Sequence, residues 1–410
     1  MSLHELDEAR RCLQCKKPLC RKGCPINTDI PAMIRLFGEG RLDEAGEMLF
    51  KNNPLSAVCA LVCDHEKQCE GHCILAKKGN AVHISSIENF ISSRFLSRFT
   101  PPAIKKNGKM TAIIGSGPAG ITIAVALALR GYAVTLFEGR DKIGGVLRYG
   151  IPAFRLPRSV LESYHRLLGL LGVRIRPNTN IGGALRMDDL FRDGYGAVFI
   201  GTGVWRPNTL RIPGESLGNA HFAIDYLSNP DVYDLGETVS VIGAGNAAMD
   251  AARTILRHGA RNVTVYARRP ALTASPREVE YARLDGVRFE FCVKPVEIRP
   301  EGAVFRRLSY EGEAGGLEIE GSDFLQPSDS VVVSIGQGPR DRIVNTSQGI
   351  KVNERGLLIT DENGATTRDG IFASGDVVRG AKTVVEAAHY SKMVAKSMDE
   401  YMRSLPRRQG

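Results

Sequence analysis

The sequence predicts an α/β protein in which a helical N-terminal region precedes two doubly wound domains, one inserted into the other. Three observations carry that prediction. Eight of the nine cysteines fall between Cys12 and Cys73, and only Cys292 lies beyond them. The segment 111–138, TAIIGSGPAGITIAVALALRGYAVTLFE, runs apolar strand, glycine turn, helix, strand, and the pattern returns at 239–269 as VSVIGAGNAAMDAARTILRHGARNVTVYARR. Near the C-terminus an apolar strand leads into Gly375-Asp376 and then a long helical segment.

Composition sets the frame. At 410 residues there is room for two or three domains with substantial cores, and 43% apolar with 24% charged residues is ordinary for a soluble globular protein. No stretch approaches the run of about 18 apolar residues of a membrane span. The start, MSLHELDEARRC, lacks the apolar core and cleavage site of an export signal, so a cytoplasmic protein is expected. The net charge of +9 comes from scattered basic residues without a nucleic-acid module. A solvated basic surface, or docking to an acidic partner, is the better reading.

Residues 1–100 hold the cysteines between short helical segments such as Pro31–Phe37 and Leu42–Phe50. Thr100-Pro101-Pro102 and the polar KKNGK at 105–109 read as a linker. Two βαβ units in one chain imply two bound dinucleotides. The boundaries expected are 108–205 with 338–410 for the first domain and 206–337 for the inserted second.

The first unit carries Gly115, Gly117 and Gly120 in GxGxxG spacing. These serve a tight turn, close approach of the backbone to a pyrophosphate, and close packing of helix on strand, while the helix N-terminus attracts phosphates. Glu138 ends the next strand, where a carboxylate binds ribose hydroxyls. The second unit carries Gly243, Gly245 and Ala248, and in place of Glu138 it has Ala267 followed by Arg268 and Arg269. A carboxylate there would repel a 2′-phosphate and guanidinium groups would bind it. Both units are therefore Rossmann-like, with FAD expected in the first and NADPH in the second. GIFASGDVVRGAKTVVEA resembles the second FAD signature of two-dinucleotide flavoproteins, in which the aspartate, here Asp376, contacts the flavin's ribityl–phosphate region. AVFIGTG at 197–203 and VVVSIGQGPR at 331–340 resemble the paired crossover strands between the two domains of that class.

The thiols suggest where electrons go next. With no CxxC after residue 15, a disulfide reductase of the usual kind is disfavoured. Cys12-x2-Cys15-x4-Cys20-x3-Cys24-Pro25 resembles the ferredoxin run, with a wider second gap, and Cys59-x3-Cys63-x5-Cys69-x3-Cys73 follows. Structural zinc sites favour paired CxxC knuckles, and only one CxxC is present. Lone Cys292 reads as a small buried apolar residue.

CLQCKKPLCRKGCP, CALVCDHEKQCEGHC, GSGPAG, GGVLRYGIPAFRLP, GAGNAAMD and VVVSIGQGPR together resemble, across essentially the whole chain, one family of iron–sulfur flavoproteins. It contains the glutamate synthase small subunit, the electron-input half of dihydropyrimidine dehydrogenase and the large subunit of NADH-dependent ferredoxin:NADP oxidoreductase. The resemblance implies one [4Fe–4S] cluster on Cys12, Cys15, Cys20 and Cys73. It implies a second on Cys24, Cys63, Cys69 and Glu88, with Cys59 a neighbour that does not bind iron. It further implies cofactor contacts from Pro118, Ala119, Gly145, Leu147, Gly375 and Thr383 for FAD, and from Asn246 and Ala247 for NADPH. GTG at 201–203 and TASPREVE at 273–280 depart from many relatives. The function implied is an NAD(P)H-dependent oxidoreductase subunit that relays electrons to a partner subunit bearing FMN or iron–sulfur centres. Two alternatives stay open: a self-sufficient diaphorase acting on quinones, and a zinc-bearing flavin-binding regulatory module.

Overall fold

The computed structural model describes residues 3–310 and 316–406. Two compact units divide the chain: Met1–Leu147 with Ala153–Val204 and Pro339–Gly410, and Arg148–Pro152 with Trp205–Gly338. The cysteine region is thus part of the first unit.

That region is built from α1 (Leu3–Arg11), α2 (Leu19–Gly23), α3 (Ile30–Gly38), α4 (Leu42–Asn52), α5 (Ser56–Val62) and α6 (Ile84–Arg98). Helix α3 shows how the sequence dictates them. Asp29 caps it by accepting from the Ala32 N–H at 3.3 Å, and Pro31 sits in its first turn, where a missing N–H costs nothing. Ile30, Met33, Ile34 and Phe37 recur at helical spacing and bury against Leu49, Ile87 and Ile91.

A five-stranded parallel sheet follows. Its strands are β1 (Met110–Ile114), β2 (Ala133–Phe137), β3 (Arg174–Arg176) and β4 (Tyr195–Ile200), with Ile371–Ala373 on the outer side of β4. The chain steps from β1 outward to β2 and β3, then crosses back to β4 on the other side. This reversal opens a crevice at the carboxyl end of β1, the place where such sheets bind ligands. Helix α7 (Pro118–Ala128) starts there, and the long helix Val384–Ser404 lies along it.

Three side chains fasten the cysteine region to this sheet domain. Tyr164, fully buried on the helix Arg158–Leu170, donates its hydroxyl to the Pro54 carbonyl at 2.9 Å. Arg166 donates to the Leu96 and Ser97 carbonyls at 2.8 and 3.0 Å. Lys392 donates to the Asn52 carbonyl and to its side-chain oxygen.

The second unit repeats the parallel sheet in the order Ala220–Phe222, Ser330–Val333, Thr238–Ile242, Asn262–Ala267, Arg288–Phe291. It adds an antiparallel layer of Val293–Arg299, Gly302–Ser309 and Phe324–Pro327. Arg206–Pro207 and Gln337–Gly338 pair as a two-residue antiparallel ribbon. The sequence reading kept 148–152 with the first domain. In the structure this pentapeptide belongs with the second unit, where the Tyr149 carbonyl accepts from the Ser228 hydroxyl at 3.0 Å. Among the described residues no helix is long and apolar enough to cross a membrane.

Tyr164→Phe removes the only donor seen on the buried Pro54 carbonyl among the described residues. Leaving a buried acceptor unpaired costs about 1–3 kcal/mol. A chemical denaturation curve should show that loss with the slope of the transition unchanged.

Candidate functional site

Gly115 follows β1 with φ +96°, and a Cβ there would lie 2.6 Å from the Gly201 carbonyl oxygen. The turn therefore needs glycine for both its backbone angle and its closeness to the end of β4. Gly117 caps α7, with open space where a Cβ would point, and Pro118 and Ala119 open the helix. Gly120 faces the Gly115 carbonyl so closely that a Cβ would sit 1.9 Å from its oxygen.

Glu138, at the end of β2, is buried. Its Oε2 accepts from the Ser116 N–H at 3.0 Å and from the Ser116 hydroxyl, and its Oε1 accepts from the Arg140 N–H at 2.9 Å. Ser116, which sequence reasoning passed over, also accepts from the Gly144 N–H at 3.1 Å. It therefore ties the glycine turn to the segment GGVLRYG. The small polar residue between the first two glycines was the available signal. Gly145 then passes so near the turn that a Cβ on it would lie 2.8 Å from Gly117 Cα, and Leu147 is fully buried behind it.

The C-terminal signature comes to the same place. A Cβ on Gly375 would lie 3.0 Å from Ala119 Cβ, so Asp376 begins its short helix beside the start of α7. The Asp376 carboxylate accepts from the Lys382 N–H at 3.2 Å. Burial pushes its carboxyl up to about 6, and the Glu386 charge adds to the rise. Thr383 is occupied in capping the helix Val384–Ser404, bonded reciprocally with Glu386. The fold thus gathers Gly115, Gly117, Pro118, Ala119, Gly120, Glu138, Gly145, Gly375 and Asp376 around one helix N-terminus. These residues fit a dinucleotide: the helix N-terminus beside Gly117 has open space for a pyrophosphate, and the buried Glu138 carboxylate ends the neighbouring strand.

The second turn is built alike. A Cβ on Gly243 would lie 2.3 Å from the Ser334 carbonyl oxygen, Gly245 caps the helix Asn246–Arg257, and Ala248 is fully buried. The unusual segment TASPREVE folds directly onto this turn. Thr273 and Ala274 N–H groups both donate to the Ala244 carbonyl at 2.9 Å, and the Ser275 N–H donates to Asn246 Oδ1 at 2.8 Å. Asn246 therefore braces the loop, while Ala247 follows it in the helix's first turn. Arg268 and Arg269 are exposed just beyond the strand Asn262–Ala267, and neither side chain forms an ion pair among the described residues. The Arg268 carbonyl accepts from the Tyr310 hydroxyl at 2.6 Å, which fixes the backbone beneath its guanidinium.

All nine cysteines are free thiols. Cys12, Cys15, Cys20 and Cys73 line one cavity, closed below by Ile30, Ile34 and Ile84. Burial raises the Cys12 thiol and pushes Cys20 up to about 11, with repulsion from the neighbouring cysteines adding to each rise. No three such side chains converge on one point among the described residues, as a lone metal ion would require. The four thiols line the walls of that one cavity.

The remaining thiols form a deeper group. Cys63 is raised first by its hydrogen bond with Cys59, then by burial and by the charges of Glu88 and Cys69. Burial raises Cys69, helped by Glu88, Glu70 and Cys24. Glu88, on α6, is pushed up to about 8 by burial and by Glu70. Cys63 and Glu88 are enclosed by protein yet keep some accessible surface, as side chains lining an internal hollow do. Cys59 is buried and its sulfur accepts from Asn53 Nδ2 at 3.2 Å. Cys292 is half-buried, with φ +58°.

Two nucleotide-binding turns and a thiol-lined helical region define a two-dinucleotide oxidoreductase with an iron–sulfur head. Residues 109–391 match the pyridine nucleotide-disulphide oxidoreductase family, and residues 2–99 match the dihydropyrimidine dehydrogenase domain II, 4Fe-4S cluster family. The chain is 33% identical to the glutamate synthase [NADPH] small chain of Escherichia coli K12 over 96% of its own length and 91% of that protein. It is 32% identical to the NAD-dependent dihydropyrimidine dehydrogenase subunit PreT of Salmonella typhimurium over 97% of its length and 94% of that one. Of the E. coli putative oxidoreductase AegA, 34% identical, it spans 65%. The structure of Mycobacterium tuberculosis FprA in complex with NADPH shares the fold, with a TM-score of 0.60 at 19% identity over 72% of this chain and 85% of that one. The chain belongs to the pyridine nucleotide-disulphide oxidoreductase family, and its N-terminal residues match a 4Fe–4S cluster domain. It is a pyridine-nucleotide-dependent flavoprotein oxidoreductase.

Asp376 yields a pH test. Its folded value lies above the ordinary 3.8, so the fold favours the protonated acid. Stability is lost as pH rises from about 4 through about 6, because the buried group must then carry charge. Asp376→Asn in the cofactor-free protein should gain on the order of 2 kcal/mol at pH 8 and nothing at pH 4. Thermal unfolding at the two pH values reads this directly, and an equal gain at both would contradict it.

Proposed function

We propose that the protein is the NADPH-oxidising subunit of a heteromeric electron-transfer enzyme. It carries FAD and two [4Fe–4S] clusters, and its partner is a subunit with FMN or iron–sulfur centres, of the dihydropyrimidine dehydrogenase or glutamate synthase kind. The observation that carries this reading is the cavity ringed by Cys12, Cys15, Cys20 and Cys73 in the same compact unit as the flavin-binding residues. When bound, FAD accepts the hydride and divides its electron pair for one-electron carriers, chemistry that needs no acid or base from the protein.

The chain's own residues bind and orient. The α7 N-terminus and Gly117 receive the flavin's pyrophosphate, Glu138 its adenosine ribose, and Asp376 its ribityl–phosphate region. Gly243 to Ala248 receive the second pyrophosphate, with Asn246 holding the turn to the loop at 273–275. Cys12, Cys15, Cys20 and Cys73 hold one cluster, and Cys24, Cys63, Cys69 and Glu88 the other. Cys59, hydrogen-bonded by Asn53 and to Cys63, stays outside the ligand set.

Relatives differ in nucleotide, one NADPH-dependent and one NAD-dependent by name. The paired, solvent-facing Arg268 and Arg269 support NADPH here. Losing one charge-assisted contact costs about 1.5–3 kcal/mol. Arg268→Ala should therefore weaken NADPH roughly ten- to a hundred-fold and leave NADH nearly unchanged in steady-state kinetics. Equal losses would remove the 2′-phosphate assignment.

Iron content tests the ligand set. Cys59→Ala should keep about eight irons per chain and Glu88→Ala should lose or perturb one cluster. The reverse pattern would establish all-cysteine ligation.

A further inference from the structure

The last residue of α4 and the long helix Val384–Ser404 are joined by a chain of hydrogen bonds that ends on a thiol. Lys392, half-buried on that helix, donates to the Asn52 backbone carbonyl and, at 3.2 Å, to Asn52 Oδ1. Asn52 Nδ2 donates to the Ile26 carbonyl at 3.3 Å and to Thr28 Oγ1 at 3.1 Å. Thr28 Oγ1 in turn lies 3.5 Å from Cys24 Sγ.

The chemistry of these groups fixes each direction in the chain. Both partners of Lys392 are carbonyl-type oxygens, which only accept, so the ammonium holds Oδ1 of Asn52 towards itself. The Ile26 carbonyl requires a donor, so the two ends of the Asn52 amide cannot exchange places. Nδ2 then faces Thr28 and can only donate, which makes Oγ1 the acceptor and leaves the hydroxyl hydrogen for Cys24. A thiol could donate or accept here, but a metal-binding cysteine is a thiolate and only accepts. Thr28 is 4% exposed, so bulk water does not compete for the bond. The backbone brings the pair together: the Asn27 N–H donates to the Cys24 carbonyl at 2.8 Å, and Asn27 takes φ +57°, a conformation asparagine tolerates.

We propose that Lys392, Asn52 and Thr28 are positioning residues that aim the Thr28 hydroxyl at the Cys24 thiolate and so raise the reduction potential of the cluster that Cys24 binds. The proposal rests on the reading that Cys24 ligates the second [4Fe–4S] cluster. Ligand sulfurs gain negative charge when their cluster takes up an electron. A hydrogen bond to such a sulfur then strengthens, which favours the reduced form. Reduction adds one electron, drawn from NADPH through the flavin, and no proton; the hydroxyl hydrogen stays on Thr28. Lys392 stands on the helix that Thr383 caps, so a segment of the flavin domain sets in part the potential of a centre in the head.

The test is a redox titration of the cofactor-replete protein with titanium(III) citrate, each cluster followed by electron paramagnetic resonance and iron content measured alongside. Thr28→Val keeps the branched shape and removes the hydroxyl. It should displace one cluster roughly tenfold toward the oxidised form, a fall of about 59 mV in its midpoint, and leave the other cluster unmoved. Thr28→Ser keeps a hydroxyl and should restore the wild-type value. Lys392→Met, which releases the amide, should lower the same midpoint, whereas Lys392→Arg should not. Thr28→Ala serves if Thr28→Val fails to fold, and every variant should keep the wild-type iron content. An unchanged midpoint in Thr28→Val or in Lys392→Met, equal shifts of both clusters, or no restoration by serine overturns the proposal. Loss of iron from Thr28→Val overturns it too, because Thr28 would then hold the cluster rather than tune it. If Cys24→Ala leaves the wild-type iron content intact, the ligand reading itself falls, which is a separate and recognisable result.

Discussion

Everything at the flavin site depends on how closely α7 approaches the turn before it. Gly120 leaves no room for even a methyl group against the Gly115 carbonyl, and Gly115 leaves none against Gly201. These two contacts pin the helix N-terminus to the carboxyl edges of β1 and β4. Its free N–H groups then point into the crevice without any reorganisation, and Gly145 and Gly375 can arrive from elsewhere in the chain to complete the cradle. A single larger side chain at any of these positions would push one wall away and loosen all the others.

Much of this was legible in the sequence because glycine spacing, strand hydrophobicity and cysteine clustering are local signals. Gly115, Gly117, Gly120 and Glu138 announced their turn within one βαβ unit. Arg268 and Arg269 were visible through the internal repeat, which set them against Glu138. What escaped were contacts formed by distant segments. Ser116 matters because Gly144 and Glu138 meet it, and neither meeting is written in the local pattern. The loop 273–275 looked like a departure and proved to be braced against the second turn by Ala244 and Asn246. The glycine at 201 has a similar explanation, since a Cβ there would strike the Phe199 ring at 2.6 Å.

The two thiol groups differ in surroundings, and the difference is physical rather than numerical. One opens to the surface past Leu13 and Lys17, where water and a visitor can approach. The other is enclosed, with Cys69 in the apolar core and burial raising the Glu88 carboxyl. Tyr164 lies close enough to that second group for the charges of Cys59 and Glu88 to raise its hydroxyl, after burial itself. A helix of the flavin domain therefore reaches the edge of the deeper thiols.

The bonds from Tyr164, Arg166 and Lys392 to carbonyls of the cysteine region have a further meaning for how the protein matures. They tie the head to the flavin domain within one compact unit, so free energy gained by any iron–sulfur centre bound in the head would, if the unit unfolds cooperatively, also stabilise the flavin crevice. A cell short of iron would then hold not an intact flavoprotein lacking its clusters but a weakened chain exposed to proteolysis. Metal supply would then set how much of the enzyme survives.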